Sequence, residues 1–352
     1  MSSRRITRTK RVFTVLIVLT LIVTAQLVLR QRAEADLDLC PPLIPSVLPA
    51  VSAEQSVIIH DPYAYPGDYH KAQLHMHTDS SMDGEWPVET AVKTYYEAGY
   101  TYLAIADHDQ VTIYEELDGP GFVTIPAEEN TVPWPFWPLG THMLRLFVDS
   151  HDRTGDAQAR IDSTLEAGGM AGICHPSWMG NMHTGEWTLS QMLALDGFQL
   201  VEVYNPHSSP REDTYRWHQL IRRLGPDNPV WAIAVDDAHS EKLFNRGWVM
   251  VKTAGISEDA LKTALKRGSF YPSTGPVVDF GVTGGNITVK MANNSRAKIS
   301  FVAGNGEIVY AITASEATYR PRGNEGFIRV EVETSNRKKA WSQPFWLEVR
   351  EI

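Results

Sequence analysis

Gln73-Leu74-His75-Met76-His77-Thr78-Asp79 is the most informative stretch of this chain. Side chains alternate between the two faces of a strand, so His75 and His77 share one face while Leu74 and Met76 share the other. Two imidazoles that point the same way can bind one metal ion. A His-x-His pair on a half-exposed strand is also often an ordinary surface feature. The choice between these interpretations depends on the rest of the chain.

Further along the sequence, short apolar runs typical of buried strands repeatedly end at side chains that can bind a metal. Tyr102-Leu103-Ala104-Ile105-Ala106 runs into Asp107-His108-Asp109, and Ala171-Gly172-Ile173-Cys174 ends at His175. Helical stretches at residues 88–98 and 157–167 separate such strands, and glycines follow both as left-handed stops. Alternating strands and helices predict a parallel sheet, and repetition around a circle gives a barrel. The strand ends of a barrel converge on one mouth, where these polar side chains should meet.

These residues resemble the PHP superfamily, which is named for its polymerase-associated and histidinol phosphatase members. The similarity covers about residues 68 to 275. It is carried by motifs in a fixed order: His75-Met76-His77, Asp83-Gly84, Ala106-Asp107-His108-Asp109, Ile125-Pro126-Ala127-Glu128-Glu129, His142, Cys174-His175-Pro176 and Asp237-Ala238-His239. The resemblance implies an α/β fold, a distorted seven-stranded (β/α) barrel with two or three divalent ions. It also implies hydrolysis of phosphoesters or related bonds.

The same resemblance implies which side chains bind the ions. One ion would lie among His75, His77, Glu129 and Asp237; a second would share Glu129 with His142 and His175; a third would use Asp83, His108 and His239. Zinc, manganese and iron all suit mixed histidine and carboxylate ligands. Glu128 and Glu129 are adjacent and only one can face the mouth; the spacing from Pro126 favours Glu129. Asp83 stands where several members have histidine, which favours oxygen-preferring ions there.

Two ions that share a carboxylate would hold a bridging hydroxide, which attacks the ester while the ions stabilise the developing negative charge. His239 and Asp237 are the candidate catalytic residues for protonating the leaving group. The predicted function is therefore hydrolysis of phosphoester bonds in a small molecule. Hydrolysis of a carbamate or carboxylic ester is the alternative reaction. An inactive PHP domain that only binds a ligand is the alternative of another class.

Other polar residues near the motifs have simpler interpretations. Cys174 is expected to be a small packed hydrophobe, and Asp107 to cap a turn or orient a ligand imidazole. Glu202 and Asn205 lie at the end of another strand. They would contact the substrate or the ring nitrogen of a ligand histidine that does not bind the metal; for Asn205, formation of a turn is an equal alternative. Four further histidines match no family position and are assigned to the surface or to loops: His151, His183, His207 and His218.

The amino terminus predicts export and a membrane anchor. Residues 1–11 carry five basic side chains and no acid, and residues 12–29 are eighteen residues without a charge. A helix of that length spans about 27 Å, enough for a thin bilayer, with the basic side in the cytoplasm. A cleaved signal peptide is the rival interpretation, because Ala33-Glu34-Ala35 fits a cleavage site. Both interpretations place the remainder outside the cytoplasm, at the cell surface or in the periplasm when anchored, or secreted after cleavage.

The remaining segments are assigned by composition. Residues 30–67, rich in proline, alanine and acids, are predicted to be a linker before the 68–275 barrel. Residues 276–352 contain short alternating runs separated by turns, which predict a small antiparallel β-sandwich. A barrel followed by such a sandwich resembles the CehA/McbA branch of PHP metallohydrolases, which includes carbamate-ester hydrolases. The loop Pro133-Trp134-Pro135-Phe136-Trp137-Pro138 is expected near the mouth, as a packed loop or as an apolar wall for a leaving group.

Charge limits the choice of partners. The chain carries a net charge of −10, and without the five basic residues before residue 12 this becomes −15. A broadly acidic surface repels polyanions, so no nucleic-acid partner is expected. The expected partners are a small-molecule substrate and, through the amino-terminal helix, a membrane. Cys40 and Cys174 are the two cysteines, so no disulfide framework is expected.

Overall fold

The computed structural model of the protein describes residues 55–351. The predicted basic tail, the predicted membrane segment 12–29, Cys40 and linker residues 30–54 lie outside these residues. Within residues 55–351, no helix has the length and apolar character needed to cross a membrane.

Strands dominate the described residues, and helices are few. The strands are β1 (Gln55–His60), β2 (Asp68–Gln73), β3 (Tyr100–Ile105), β4 (Val123–Pro133), β5 (Gly140–Leu146), β6 (Met170–Ile173), β7 (Leu200–Tyr204), β8 (Trp231–Ala234), β9 (Trp248–Thr253), β10 (Phe270–Ser273), β11 (Val278–Thr283), β12 (Asn286–Met291), β13 (Ala297–Ala303), β14 (Ile308–Ala314), β15 (Glu316–Tyr319), β16 (Phe327–Glu333), β17 (Lys339–Trp341) and β18 (Phe345–Glu351). The α-helices are α1 (Val88–Glu97), α2 (Ala157–Glu166), α3 (Leu189–Leu193), α4 (Pro210–Leu224) and α5 (Glu258–Arg267). Short 3-10 helices cover Glu115–Leu117, Asn181–His183, Glu241–Leu243 and Ala292–Asn294.

Strands β2 to β8 are neighbours in sequence order around a closed wall. The wall closes just beyond the strand ends, where Met76 and Ala238 form a parallel bridge. There the amide of His77 donates to the carbonyl of Ala238 at 3.0 Å, and the amide of Asp237 donates to that of His75 at 3.0 Å. Closure places the segments after β2 and β8 side by side.

The wall is not parallel throughout, which corrects the expectation of a parallel sheet. β5 runs antiparallel to both β4 and β6, and the remaining paired neighbours from β2 to β8 are parallel. Antiparallel strands need only a short connection, and here it is the aromatic loop after Pro133. Within the described residues, no α-helix follows β3, β4 or β8. Because β5 is reversed, its first residues, including His142, lie at the carboxyl ends of the other strands.

The two helices predicted from sequence are present, with ends set by local signals. α1 and α2 occupy most of the predicted residues 88–98 and 157–167. The side chain of Asp156 accepts from the amide of Ala159 at 3.1 Å and caps the start of α2. Gly99 follows α1 with φ 78°, a left-handed backbone conformation that favours glycine.

The carboxyl-terminal strands continue the wall and do not form an isolated sheet. β10 pairs with β9 on one side and β17 on the other, and β17 leads to β16, β13 and β14. A separate antiparallel sheet contains β11, β12 and β15. Apolar side chains from both groups, such as Ile287, Phe301 and Val330, share one buried cluster.

Residues 55–60 correct the predicted linker, because they form β1 and pair antiparallel with β18 along its whole length. Val57 lies opposite Val349, and Ile59 lies opposite Leu347. The partner strand is at the other end of the chain, so the short β-branched run at residues 57–59 gave no local sign of pairing.

α4 packs against the carboxyl-terminal strands through a buried histidine. His218 is 4% exposed, and its Nδ1 accepts a hydrogen bond from Nε of Arg329 at 3.0 Å. His218 was assigned to the surface from sequence, and the structure buries it against Phe327, with ring centroids 5.4 Å apart. Burial and the charge of Arg329 together lower the pKa of His218 to about 3.

This pair predicts an acid-sensitive contact. The unfolded chain protonates His218 near its ordinary pKa of 6.5, while the folded protein does not until about pH 3, so stability falls as pH drops below 6.5. Acidification from pH 8 to pH 5 should lower the free energy of unfolding by about 2 kcal/mol, because His218 binds a proton only in the unfolded chain over this range. His218→Asn keeps an acceptor for Arg329 but does not titrate, and its free energy of unfolding in urea should lose that part of the pH dependence. An unchanged pH profile would show that His218 does not titrate in this way.

Candidate metal centre

The nine predicted ligand residues lie together at the carboxyl end of the wall. Seven come from segments that follow a strand and two from within a strand: His75 and His77 after β2, Asp83 beyond them, His108 after β3, Glu129 in β4, His142 in β5, His175 after β6, and Asp237 and His239 after β8. Parallel strand ends converge there, and the reversal of β5 brings His142 to the same end.

Glu129 lies at the centre of this cluster and is 1% exposed. Its Oε1 is 2.8 Å from Nδ1 of His142 and 2.7 Å from Nε2 of His175. Its Oε2 is 3.2 Å from Nε2 of His77 and 3.4 Å from Nε2 of His75. The two oxygens therefore face different pairs of imidazoles, as a bridging carboxylate would.

The first predicted group is fully buried. Oδ1 of Asp237 lies 3.1 Å from Nε2 of His77 and 3.5 Å from Nε2 of His75. One ligand atom from each of His75, His77, Glu129 and Asp237 lies within 4.8 Å of the others. This spacing allows one cation to contact all four residues.

The third predicted group is more open than the other two. Oδ2 of Asp83 is 3.5 Å from Nε2 of His108 and 3.4 Å from Nε2 of His239. The Asp83 side chain is 52% exposed, whereas the side chain of Glu129 is 1% exposed. Nδ1 of His108 also lies 3.1 Å from Oε2 of Glu129, so this group adjoins the buried one.

The choice between Glu128 and Glu129 is decided by the pleat of β4. Glu128 points to the opposite face, where it forms a buried ion pair with Arg145 and lies 2.6 Å from Nδ1 of His151. His151 was expected at the surface or in a loop, and the structure makes it a partner of Glu128. Glu129 therefore faces the mouth, as the spacing from Pro126 favoured.

Glu202 connects the two buried groups from behind. Its Oε1 lies 2.6 Å from Nδ1 of His75, and its Oε2 accepts from the amide of His175 at 2.6 Å. Nδ2 of Asn205 donates to Glu202 at 2.8 Å and to Oδ2 of Asp237 at 3.0 Å. Both residues thus orient ligand residues, which was one of the roles considered for them.

Asp107 stabilises a loop, and Cys174 packs in the apolar core. The carboxylate of Asp107 accepts from the amide and the hydroxyl of Thr78 at 2.6 and 2.8 Å, and so fixes the loop that follows His77. Cys174 is fully buried in the apolar cluster of the wall, where burial raises the pKa of its thiol well above the usual value. It is packed, as expected.

Two candidate ligands have a strained backbone. His175 has φ 28° and Asp237 has φ 44°, values that residues other than glycine rarely adopt. Such conformations cost on the order of 1–3 kcal/mol and concentrate at functional sites. The amides of both residues are held by hydrogen bonds, His175 to Glu202 and Asp237 to the carbonyl of His75. The fold therefore maintains these conformations against their intrinsic cost.

The donor set fits a cation. Glu202 accepts at Nδ1 of His75, which leaves Nε2 of His75 facing Nε2 of His77 at 3.1 Å. Two ring nitrogens at this distance need a proton or a metal ion between them. Oδ1 of Asp237 is buried without a hydrogen bond, although His77 lies nearby. These atoms are placed as ligands around a common point rather than as partners of one another.

Charge in the cluster also favours a cation. Burial opposes protonation of His75, but Asp237, Glu129 and Glu202 outweigh it and raise its pKa well above the usual value. The pKa of His108 is raised to about 9, because Glu129 and Asp83 outweigh its burial. Burial works against ionisation of Glu129, yet the surrounding histidines hold its pKa well below the usual value. The carboxylates therefore attract positive charge to this point.

A cavity of about 390 Å³ opens above the cluster. Its lining includes the predicted ligands Glu129, His142 and Asp237, together with Trp178 and His207. Neither Trp178 nor His207 was singled out from sequence as a site residue. His207 had been assigned to the surface; Nε2 of this exposed side chain lies 3.3 Å from the carbonyl of Asp237. Trp178 lies three residues after His175, and nothing in the sequence shows that its loop folds back over the ligands.

Substitution of the two adjacent glutamates should separate a ligand from a structural residue. Glu129→Gln removes the charge between both buried groups, so we expect loss of at least one metal ion per chain by elemental analysis. Glu128→Gln breaks the buried pair with Arg145 and should lower the melting temperature. It should leave the metal content of the folded protein unchanged. Metal loss in the Glu128 variant alone would reverse the assignment.

No family model matches the sequence, and neither does any curated protein. The chain is similar to a solved two-domain protein from Bacteroides vulgatus that contains a predicted PHP-like metal-dependent phosphoesterase, over 87% of this chain and 91% of that chain, at 14% identity and a TM-score of 0.46. A candidate metal-dependent phosphoesterase from Bifidobacterium adolescentis is similar over 56% and 96% of the chains, at 15% identity and a TM-score of 0.41. A lesion-specific endonuclease from Pyrococcus furiosus is similar over 56% of each chain, at 11% identity and a TM-score of 0.38. At these identities and scores, the likenesses do not assign an activity to this chain.

Proposed function

We propose that this chain is a metal-dependent hydrolase of the PHP type that cleaves a phosphoester bond of a small molecule. The observation that carries the proposal is the carboxylate of Glu129, which is buried at the floor of a cavity with imidazoles on both of its oxygens. Carboxylates in this position are the bridging ligands of two-metal hydrolytic sites.

The proposed ligands follow the three groups. His75, His77, Glu129 and Asp237 would hold one ion, and Glu129, His142 and His175 a second. Asp83, His108 and His239 would hold a third and more exchangeable ion, because this group is the most exposed. When bound, divalent ions supply an activated water and positive charge for the transition state. Zinc, manganese and iron all suit the donor set.

Residues of the chain would orient the metal ligands and protonate the leaving group. Glu202 holds the proton on Nδ1 of His75, which fixes that ring with Nε2 toward His77 and Glu129. Of the two candidate acids, Asp237 is unsuited, because its histidine neighbours outweigh its burial and hold its pKa well below the usual value. The pKa of His239 is raised, since Asp83 and Asp237 outweigh its burial. His239 would therefore be the proton donor to a leaving group at the mouth when the group of Asp83, His108 and His239 holds no ion.

The proposal is tested by assay of the metal-loaded protein on aryl phosphomonoesters, aryl phosphodiesters and a naphthyl carbamate, with and without chelator. Hydrolysis of a phosphoester that chelator abolishes is the expected result. Cleavage of the carbamate alone would favour the ester-hydrolase alternative and the CehA/McbA resemblance. Failure on every substrate at full metal occupancy would favour a ligand-binding role.

Two histidines at the mouth provide a matched pair for the ligand assignment. His175→Ala should lower metal content and phosphoester hydrolysis together, because its Nε2 is one of the contacts to Oε1 of Glu129. His207→Ala should leave metal content intact, since Nε2 of His207 contacts the backbone carbonyl of Asp237 and its ring only packs against that of His239, 5.9 Å away. Elemental analysis of both purified variants decides this. Full metal content in the His175 variant would reject that residue as a ligand.

We also propose that residues 12–29 anchor the chain in a membrane with the catalytic part outside the cytoplasm. The support is the sequence alone, an uncharged run preceded by five basic residues. Fractionation of expressing cells should find the full chain in membranes, accessible to protease from outside the cytoplasmic membrane. A soluble product that begins after Ala35 would instead support signal cleavage, and full protection by the cytoplasmic membrane would contradict export.

A further inference from the structure

Two tryptophans form the walls of the cavity above the candidate ligands. The ring of Trp178 lies 4.8 Å from that of His175 and 5.1 Å from that of His142, centroid to centroid. Trp137 is 50% exposed, yet its Nε1 donates to Oδ2 of Asp109 at 2.7 Å. Asp109 is itself fixed, because its Oδ1 accepts from the amide of Thr131 at 2.8 Å. Both rings are therefore held in place beside the reacting position.

Exposed apolar side chains occur in the same loops that line the cavity. Phe136 is 53% exposed, Met179 40%, Met182 50% and Met82 66%. They belong to three loops, and each loop contributes residues to the cavity lining. The lining residues of these loops are Met82 in the first, Trp137 in the second, and Trp178 and Thr184 in the third. Met179 and Met182 lie between Trp178 and Thr184 in sequence. We call Met82, Phe136, Trp137, Met179 and Met182 the apolar rim. Large exposed apolar side chains grouped around a cavity mark a binding surface.

The cavity has no fixed positive charge away from the candidate ligands. Among the described residues that line it, the ionisable side chains are aspartates, Glu129 and histidines, and none is lysine or arginine. A terminal phosphate dianion or a polyphosphate extending past the ions would find no cationic partner there and would meet the carboxylate of Asp109. The lining favours a reacting group with low charge and an uncharged remainder.

We propose that the substrate is an amphiphilic phosphodiester, with a singly charged phosphate at the candidate ligands and a long apolar arm against the two tryptophans and the apolar rim. This inference rests on the proposed hydrolase function and names its substrate class. A volume of about 390 Å³ is near the lower end for small-molecule sites, so a long arm must extend outward across the rim. Methionine suits such a surface, because its flexible side chain adapts to arms of different shape.

The test uses the full chain, loaded with metal and reconstituted in lipid nanodiscs, with p-nitrophenyl alkyl phosphodiesters that carry methyl, butyl or hexyl groups. The leaving group and charge are constant, so only the apolar arm changes. Free substrate is measured to correct for partition into lipid. We expect kcat/KM to rise at least about tenfold from methyl to hexyl, since each fully buried methylene is worth about fourfold. p-Nitrophenyl phosphate, a dianion, should be the poorer substrate.

Variants locate the effect at the rim. Trp137→Ser and Met182→Ser should each flatten the dependence of kcat/KM on chain length. Ile308→Ser is the matched control, because Ile308 is 57% exposed on β14 and does not line the cavity. It should keep the dependence. A rate that does not depend on chain length overturns the inference, and so does equal flattening in the Ile308 variant, which would indicate general association with apolar surfaces.

A binding measurement separates this inference from the hydrolase proposal. Hexyl methylphosphonate and methyl methylphosphonate are singly charged and have poor alkoxide leaving groups, so their binding to the metal-loaded protein can be followed by calorimetry under conditions where product analysis finds no hydrolysis. Tighter binding of the hexyl compound that Met182→Ser removes supports the rim as the site of the apolar arm, even if no phosphodiester is hydrolysed. Hydrolysis with equal affinity for both phosphonates and no chain-length dependence would leave the hydrolase proposal standing and overturn the amphiphilic substrate.

Discussion

A buried carboxylate with little access to water imposes the main constraint on this molecule. Glu129 is 1% exposed, and an ionised carboxylate in that position is costly unless positive charge and hydrogen bonds compensate for lost solvation. Imidazoles from β5 and from the segments after β2, β3 and β6 surround this carboxylate and compensate its charge. Asp237 adds a second buried carboxylate beside His77, so the cluster still attracts cations. The convergence of strand ends on one mouth makes this arrangement possible.

Support for the cluster comes from residues that do not face the cavity. Glu202 holds both the ring of His75 and the strained backbone of His175, and Asn205 joins Glu202 to Asp237. These hydrogen bonds link the two buried groups on the side away from the cavity, in addition to the link through Glu129. Groups that are oriented before a ligand arrives lose less freedom on binding, which is the usual source of strength in such sites.

Sequence predicted the cluster well and the architecture around it less well. The ligand set came from the resemblance to the PHP superfamily. The apolar runs before His108, His175 and Asp237 indicated only that polar side chains follow the ends of several strands. Strand alternation showed that only one of Glu128 and Glu129 can face the mouth, and the spacing from Pro126 favoured Glu129. Periodicity gave no comparable signal for the reversal of β5, or for the connections after β3, β4 and β8, which lack an α-helix within residues 55–351. β1 was missed because its partner β18 lies at the opposite end of the chain. Trp178 and the apolar rim depend on how loops fold back, which side-chain periodicity does not encode.

The most direct test of this account is a crystal structure of the metal-loaded protein, with anomalous scattering recorded at the absorption edges of zinc, manganese and iron. The account predicts anomalous peaks on both sides of the Glu129 carboxylate, one within bonding distance of His75, His77 and Asp237 and the other of His142 and His175. The account would be contradicted if the ions of the fully metal-loaded protein were bound elsewhere and Glu129 were surrounded only by protonated imidazoles.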